Sequence, residues 1–420
     1  MEVEQLVAGS TIDHLIAMTV FIGALLIFIS LFNQTIQTAV VYQRNRAIAT
    51  KCSDLLDNIL LNPGIPANWS RMENLQLEGF GLQDPEFTQY RLSPFSLMRL
   101  ISASGKPVSY PKLGLNCSNI TMGFGNFLLV PHTKAVNYSL VARLLGINGT
   151  YGFQLTISPV VNVSITKVQS NPVTLSVNVK GAGFPLSNAT VSYCLIVVKP
   201  TGGEGSYPSF TTYYGTAYTN AEGSAILTFS TDIVNEARDS YVLIVYANYC
   251  GLIGTGYYEH VLNKENYVVP FVYDFGDESG QVLLAHSWDV HGGDHPAAIT
   301  YNATFVLLSE DFTLREIPLG VGRIGLLNYG NDPHTYEIVT IPTYNPGILV
   351  VTYRKSANPN DSGVVLMPWG VSALAFPVVF GEDPKGEEWV ATDIRQVIVG
   401  NVAYQAKLAL WSLEGYGVMG

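Results

Sequence analysis

Leu15-Ile-Ala-Met-Thr-Val-Phe-Ile-Gly-Ala-Leu-Leu-Ile-Phe-Ile-Ser-Leu-Phe32 is an uncharged apolar run of 18 residues. That is the lower edge of what crosses a bilayer core as a helix. The ten residues before it, MEVEQLVAGS, are acidic rather than basic, and no small-x-small site follows Phe32, so the run does not read as a secretory signal peptide. Apolar residues then recur at helical spacing: Ile36, Val40, Ala47, Ile48, Cys52, Leu55, Leu56, Ile59 and Leu60. No proline interrupts before Pro63, and Gly23 is the only glycine between Gly9 and Gly64. The spacing predicts one helix from about Ile12 to Leu61, roughly 75 Å long at 1.5 Å per residue. Its first half suits a membrane, and its second half carries one apolar stripe.

Ala8-Gly9-Ser10-Thr11-Ile12-Asp13-His14, placed directly before that helix, resembles the N-terminus of an archaeal type IV pilin-like surface protein. The resemblance implies cleavage between Ala8 and Gly9, which would put Asp13 at mature position five. The family's usual Lys or Arg before the cut is absent here. It also implies a filament core built from such helices, with Asp13, Ile36, Val40, Ile48 and Leu55 as assembly residues. A carboxylate in an apolar bundle is costly unless paired, and the new α-amine of a neighbouring subunit would be its partner. The alternative is a plain N-terminal anchor with Asp13 at the interface.

The whole chain of 420 residues is 48% hydrophobic and 13% charged, with a net charge of −11. Low charge with high hydrophobicity excludes a disordered chain. No Lys/Arg cluster is present, which argues against nucleic-acid binding. Two signals on orientation conflict. Arg44, Arg46 and Lys51 follow the span while Glu2 and Glu4 precede it, which favours a cytoplasmic body by the positive-inside rule. Against this stand ten N-x-Ser/Thr sequons, at Asn33, Asn68, Asn116, Asn119, Asn137, Asn148, Asn162, Asn188, Asn302 and Asn360. Chance predicts roughly four from this composition. Large domains also cross membranes largely regardless of flanking charge, so the body is expected outside, carrying N-linked glycans.

Four cysteines, Cys52, Cys117, Cys194 and Cys250, form no C-x-x-C pair. An even number in an exported chain points to two disulfides with three connectivities open. Chain locality favours Cys194–Cys250 and Cys52–Cys117, with buried thiols as the alternative.

The predicted fold class is α+β, mostly β: a long N-terminal hydrophobic helix followed by β-sandwich domains. Residues 1–8 read as a leader, 9–62 as the helix, and 63–157 as a mixed segment. The mixed segment has short helices at Pro94–Ile101 and Tyr138–Gly146 and a strand at Tyr151–Ile157. Between 158 and 268, Thr174–Val179 alternates, and further strand-like runs at Ala189–Val198, Thr211–Tyr218, Ala225–Phe229 and Tyr241–Tyr246 recur at sandwich spacing. Pro185–Tyr193 and Thr219–Phe229 resemble bacterial-type Ig-like domains of surface proteins, which implies fold and surface context rather than chemistry. Residues 269–420 read as a second β-rich domain, with strands at Ala298–Leu308, Tyr336–Ile341, Gly347–Tyr353 and Gly363–Met367 and an alternating run over Asp393–Leu413.

One cluster invites a metal: His286, Asp289, His291, Asp294 and His295 within ten residues, of which His286, Asp289, His291 and His295 are the candidate ligands. The alternative is a solvated hairpin or loop around Gly292-Gly293. Asp274, Asp277 and Glu278 offer oxygens for calcium, without the spacing of a known calcium loop. No nucleophile elbow, H-E-x-x-H helix or phosphate-binding glycine loop occurs. No enzyme is therefore expected, and the pilin-like resemblance implies a structural subunit of an extracellular type IV pilus-like filament. It would need no cofactor, would sit in the membrane before assembly, and would polymerise with itself. The alternative is a single-span surface binding protein or adhesin that never polymerises.

Overall fold

The computed structural model of the chain describes residues 2–72, 76–87, 90–101, 106–122, 126–131, 136–199, 206–262, 268–275, 279–291, 298–308, 314–325, 336–343, 345–355, 362–370, 377–384 and 389–413. Side chains are described for these residues except 2–12, 106, 118–131 and 308.

Helix α1 (Glu2–Leu61) is one unbroken element of 60 residues, about 90 Å long. It stops where Asn62-Pro63-Gly64 removes a backbone donor and lets the chain turn, Gly64 adopting a φ of 91°. Only its last third touches the body. Ile48, Cys52, Leu55, Leu56, Ile59 and Leu60 are buried, a set spaced to fall on one helical face. They pack on a five-stranded sheet ordered Arg91–Leu92, Ala391–Val399, Val402–Ser412, Tyr151–Pro159, Val378–Gly381. The helix therefore rests on strands from the opposite end of the chain. The sheet's helix-facing residues, among them Leu155, Ile157, Val397, Tyr404, Ala406 and Leu408, are buried.

Polar contacts fix the helix on this sheet. Arg395 donates from Nε to Asp57 Oδ1 at 2.9 Å, and from Nη2 to Asp57 Oδ2 at 3.2 Å and Ser53 Oγ at 3.0 Å. Its Nη1 reaches Asp393 Oδ1 at 2.7 Å. Lys51 lies over the Tyr151 ring, 5.5 Å from its centroid, and Arg44 donates to Ser412 Oγ at 2.7 Å. Arg44 is thus the first described residue of α1 to hold the body.

Residues 161–260 form an antiparallel β-sandwich. One sheet runs Phe210–Tyr218, Thr190–Val198, Ser240–Tyr249, Leu252–His260. The other runs Ser224–Phe229, Val173–Gly181, Val161–Ser170, with Phe184–Pro185 paired to Val173–Gly181. The two sheets enclose Val163, Val177, Val191, Leu195, Leu227, Phe229, Leu243 and Val245. Gly254 and Gly256 permit their close approach, because a Cβ at either would meet the backbone oxygen of Val161 or Val163 at 2.5 and 2.7 Å. The central strands of the first sheet, Thr190–Val198 and Ser240–Tyr249, are buried on both faces over most of their length. Cys194, Ile196, Val242, Ile244 and Tyr246 point away from the sandwich core into the main core of the body. This is why Tyr241–Tyr246 reads as a continuous apolar run rather than an alternating one. By contrast Ser224–Phe229 faces solvent on one side and alternates cleanly.

A six-stranded and a four-stranded sheet complete the molecule. The six-stranded sheet is ordered Tyr336–Ile341, Gly280–His286, Val268–Asp274, Asn126–Pro131, Leu115–Met122, Lys106–Tyr110. The four-stranded sheet is ordered Leu314–Ile324, Ile299–Leu308, Gly347–Lys355, Ser362–Trp369. Strands from 63–157 are thus shared out. Some join the helix-bearing sheet beside the C-terminal hairpin, and others join Val268–Asp274 through a parallel pairing of Phe271 with Leu129. The short helices α2 (Pro94–Ile101) and α3 (Tyr138–Leu144) match the sequence reading. Every residue of α2 is buried. Within it the Arg99 guanidinium is hydrogen-bonded by carbonyls: its Nε donates to Ser70 O at 2.9 Å and its Nη2 to Met72 O.

Candidate functional site: the free half of the N-terminal helix

From Asp13 to Gln43 every described residue of α1 but Gly23 is exposed, and Gly23 is half-buried by its own neighbours. Apolar side chains cover the full circumference: Val20, Phe21 and Phe28 are 66%, 66% and 69% exposed, and Leu15, Met18, Leu26, Ile27 and Phe32 are comparable. A helix apolar all round is one that sits in lipid or among other helices. No charged residue lies between His14 and Arg44. The threonine hydroxyls inside this stretch are satisfied within the helix. Thr19 donates to Leu15 O, Thr35 to Leu31 O and Thr38 to Gln34 O, each at 2.8 Å. That is what an apolar medium demands of a hydroxyl.

The 18 residues Leu15–Phe32 span about 27 Å, close to a hydrocarbon core of roughly 30 Å. Beyond them, and before Arg44, a neck of about 16 Å carries Ile36, Val40, Val41 and Tyr42, all exposed. The site thus has three parts: a span, a neck that mixes these apolar side chains with Asn33, Gln34, Gln37 and Gln43, and a docked foot beginning at Ile48.

Several sequence expectations are corrected by this arrangement. Ile48 and Leu55 are 5% and 8% exposed within their own chain. They hold the body on its own helix and are unavailable to a neighbouring subunit, whereas Asp13, Ile36 and Val40 remain exposed. The stripe from Ile36 to Leu60 docks only from Ile48 onward, because the sheet ends near Ser412, where Arg44 meets it. The backbone is helical through Ala8 and Gly9.

No disulfide links the four cysteines. Cys194 pairs in register with Ile244, six residues before Cys250. Six residues of strand are roughly 20 Å, far beyond the Cα separation of about 7 Å that a disulfide tolerates. Cys52 sits under α1 with Sγ 3.4 Å from Leu408 O and 3.7 Å from Ala391 O. Cys117 belongs to a different core, with Tyr110, Val269 and Phe271. Burial pushes the Cys52 thiol up to about 11, with the Asp393 charge adding to it. Burial pushes Cys194 up to about 12.

The histidine cluster is not a solvated loop where it is described. His286 ends a strand and is 2% exposed, its Nδ1 accepting from Trp288 N at 3.1 Å. Helix α4 (Ser287–His291) follows. The Asp289 side chain is 3% exposed with Oδ1 3.7 Å from Lys112 Nζ, while its Oδ2 has no partner among the described residues. His291 is exposed, and Asp294 and His295 lie outside the described residues. Among the described residues no three ligand side chains converge on one point. Asp274 is half-buried, and Asp277 and Glu278 lie outside the description.

Six sequon asparagines of the body, Asn68, Asn116, Asn137, Asn148, Asn162 and Asn188, are exposed, as is Asn33 on the neck. Asn302 is half-buried, and the side chains of Asn119 and Asn360 fall outside the description.

No family model matches this chain, and no curated protein matches it. Among solved structures it aligns with the D0-D1 domain of intimin at 17% identity, covering 52% of this chain and 98% of that one, with a TM-score of 0.20. It also aligns with red sea bream transglutaminase at 11% identity, covering 61% of this chain and 37% of that one, with a TM-score of 0.18. Likenesses this slight carry no argument for fold or function. The pilin resemblance gains no support from them.

Proposed function

We propose that this chain is a structural, non-catalytic protein of the cell surface, held by α1 and displaying its β body outside the membrane. The observation that carries the reading is the division of α1 at Arg44. The apolar side chains before it are exposed, and after it one face, from Ile48 to Leu60, is buried under the body. Burying the exposed apolar surface would yield about 25 cal/mol per Å² removed from water, and membrane insertion supplies that burial. Treating intact cells with protease tests the display: the reading expects loss of the body and retention of a membrane-bound α1 fragment. A body fully protected until the cells are lysed would refute it.

The finer reading is a subunit of a type IV pilus-like filament, the free helix halves packing into an apolar core with the β bodies outside. The exposed apolar side chains of the neck support it. Ile36, Val40, Val41 and Tyr42 extend past an 18-residue span, and neighbouring helices would cover them. Contacts between unlike faces of successive subunits would give an open helical fibre. The alternative is a single-span binding protein that stays monomeric in lipid. Asp13→Ala separates the two. Lost filaments with normal membrane insertion favour assembly, and an unchanged cell surface favours the anchor.

A further inference from the structure

We infer that Asn148 and Asn162 accept N-linked glycans on the folded body, and that Asn68 and Asn302 are closed to the same modification. This rests on the outward display proposed above. The acceptor signal is made of two side chains, the asparagine amide and the hydroxyl two residues on, so both must reach solvent at once in a folded protein. Exposure of the asparagine alone does not suffice.

Asn162 and Ser164 meet that condition: both are exposed on the outer face of Val161–Ser170, while Val161, Val163 and Ile165 alternate inward. Asn148 and Thr150 meet it in the exposed turn between α3 and Tyr151–Pro159. Asn68 is exposed, but its partner Ser70 is 3% exposed with Oγ 3.3 Å from Ser93 Oγ. Asn302 is half-buried in a strand paired on both sides, opposite Val321 and Thr352, and its partner Thr304 is 3% exposed. Two sequons are intermediate. The Asn137 oxygen caps α3 by accepting from Ser139 N at 2.8 Å, and Thr190 beside Asn188 is half-buried.

The donor required is an oligosaccharide linked through phosphate to a membrane polyprenol. The bond from sugar C1 to phosphate oxygen breaks and a bond from C1 to asparagine Nδ2 forms. The amide nitrogen gives up one proton, and the lipid phosphate leaves. Glycopeptide mass spectrometry on protein taken from its native cell surface tests the assignment. Sugar on the Asn148 and Asn162 peptides, with Asn68 and Asn302 bare, is the expected result. Bare Asn148 and Asn162, or sugar on Asn68 or Asn302, overturns it. On a gel, Asn162→Gln should remove one glycan's worth of mass while Asn302→Gln changes nothing. Protease treatment of intact cells reads display separately, so an accessible body with bare Asn148 and Asn162 sinks this inference and leaves the display reading standing.

Discussion

Leu56→Ala tests whether α1 is held by its foot. Leu56 is fully buried between the helix and the strands that carry Ala391 and Leu408. Truncating a buried leucine to alanine costs about 2–5 kcal/mol, through lost transfer energy and the cavity left behind. Cys52, one turn earlier on the same face and fully buried, reports whether that cost falls on docking. Its thiol reacts only when the helix lifts from the sheet, because burial keeps it both covered and protonated. With about 1.4 kcal/mol per tenfold in an opening equilibrium, labelling of Cys52 should accelerate by roughly thirtyfold to several thousandfold. Exposed Cys250 should label at the same rate in both proteins and serves as the internal clock. Ile36→Ala, on the exposed neck, should leave Cys52 labelling within about twofold, since exposed substitutions stay within about 0.5 kcal/mol. Unchanged Cys52 labelling in Leu56→Ala, or acceleration by Ile36→Ala, would refute the division of the helix.

Mass spectrometry of native protein under alkylation should show one rapidly modified cysteine, Cys250, and no mass gained on reduction, because no disulfide links the four. Glu236 should act as an acid-sensitive staple of the sandwich. Its Oε1 accepts from Lys167 Nζ at 2.9 Å and lies 3.3 Å from His260 Nδ1 and from Tyr241 OH. Burial pushes this carboxyl up, but hydrogen bonds from Ser170 and Lys167 and the nearby positive charges outweigh it and hold it below 4.5. A lowered carboxylate stabilises the fold above its unfolded value and loses that contribution as pH falls through the folded one. Glu236→Gln should therefore cost about 1–2 kcal/mol at pH 7, with the two denaturation midpoints converging as the pH drops below about 4.5. Gly254→Ala should cost about 1–3 kcal/mol by overpacking, because the added methyl meets the Val161 carbonyl at 2.5 Å and a backbone atom cannot swing aside. An unchanged urea midpoint would contradict that packing.

Local elements were legible in the sequence because their causes are local. Periodicity and Pro63 placed the end of α1 at Leu61. The small apolar helix Pro94–Ile101 and the strand beginning at Tyr151 followed from spacing and from the glycine stop at Gly146. The run Asp393–Leu413 resolved into two strands turning at Gly400, whose φ is 59°. The free half of the helix was equally plain, since a charge-free apolar run needs no partner to declare itself.

Pairing was decided elsewhere. Nothing in residues 391–412 says that they will receive α1 from the far end of the chain, or that Arg395 will find Asp57. Nothing in 63–157 says that its strands will be divided between sheets built with residues beyond 268. Cysteine locality failed for the same reason: closeness along the chain says little about closeness across a sheet, where register with Ile244 carries Cys194 well away from Cys250. Sequence set which faces are apolar. The tertiary structure chose which of them meet, because hydrophobic burial is non-directional and only register, chain reach and steric fit separate one apolar partner from another.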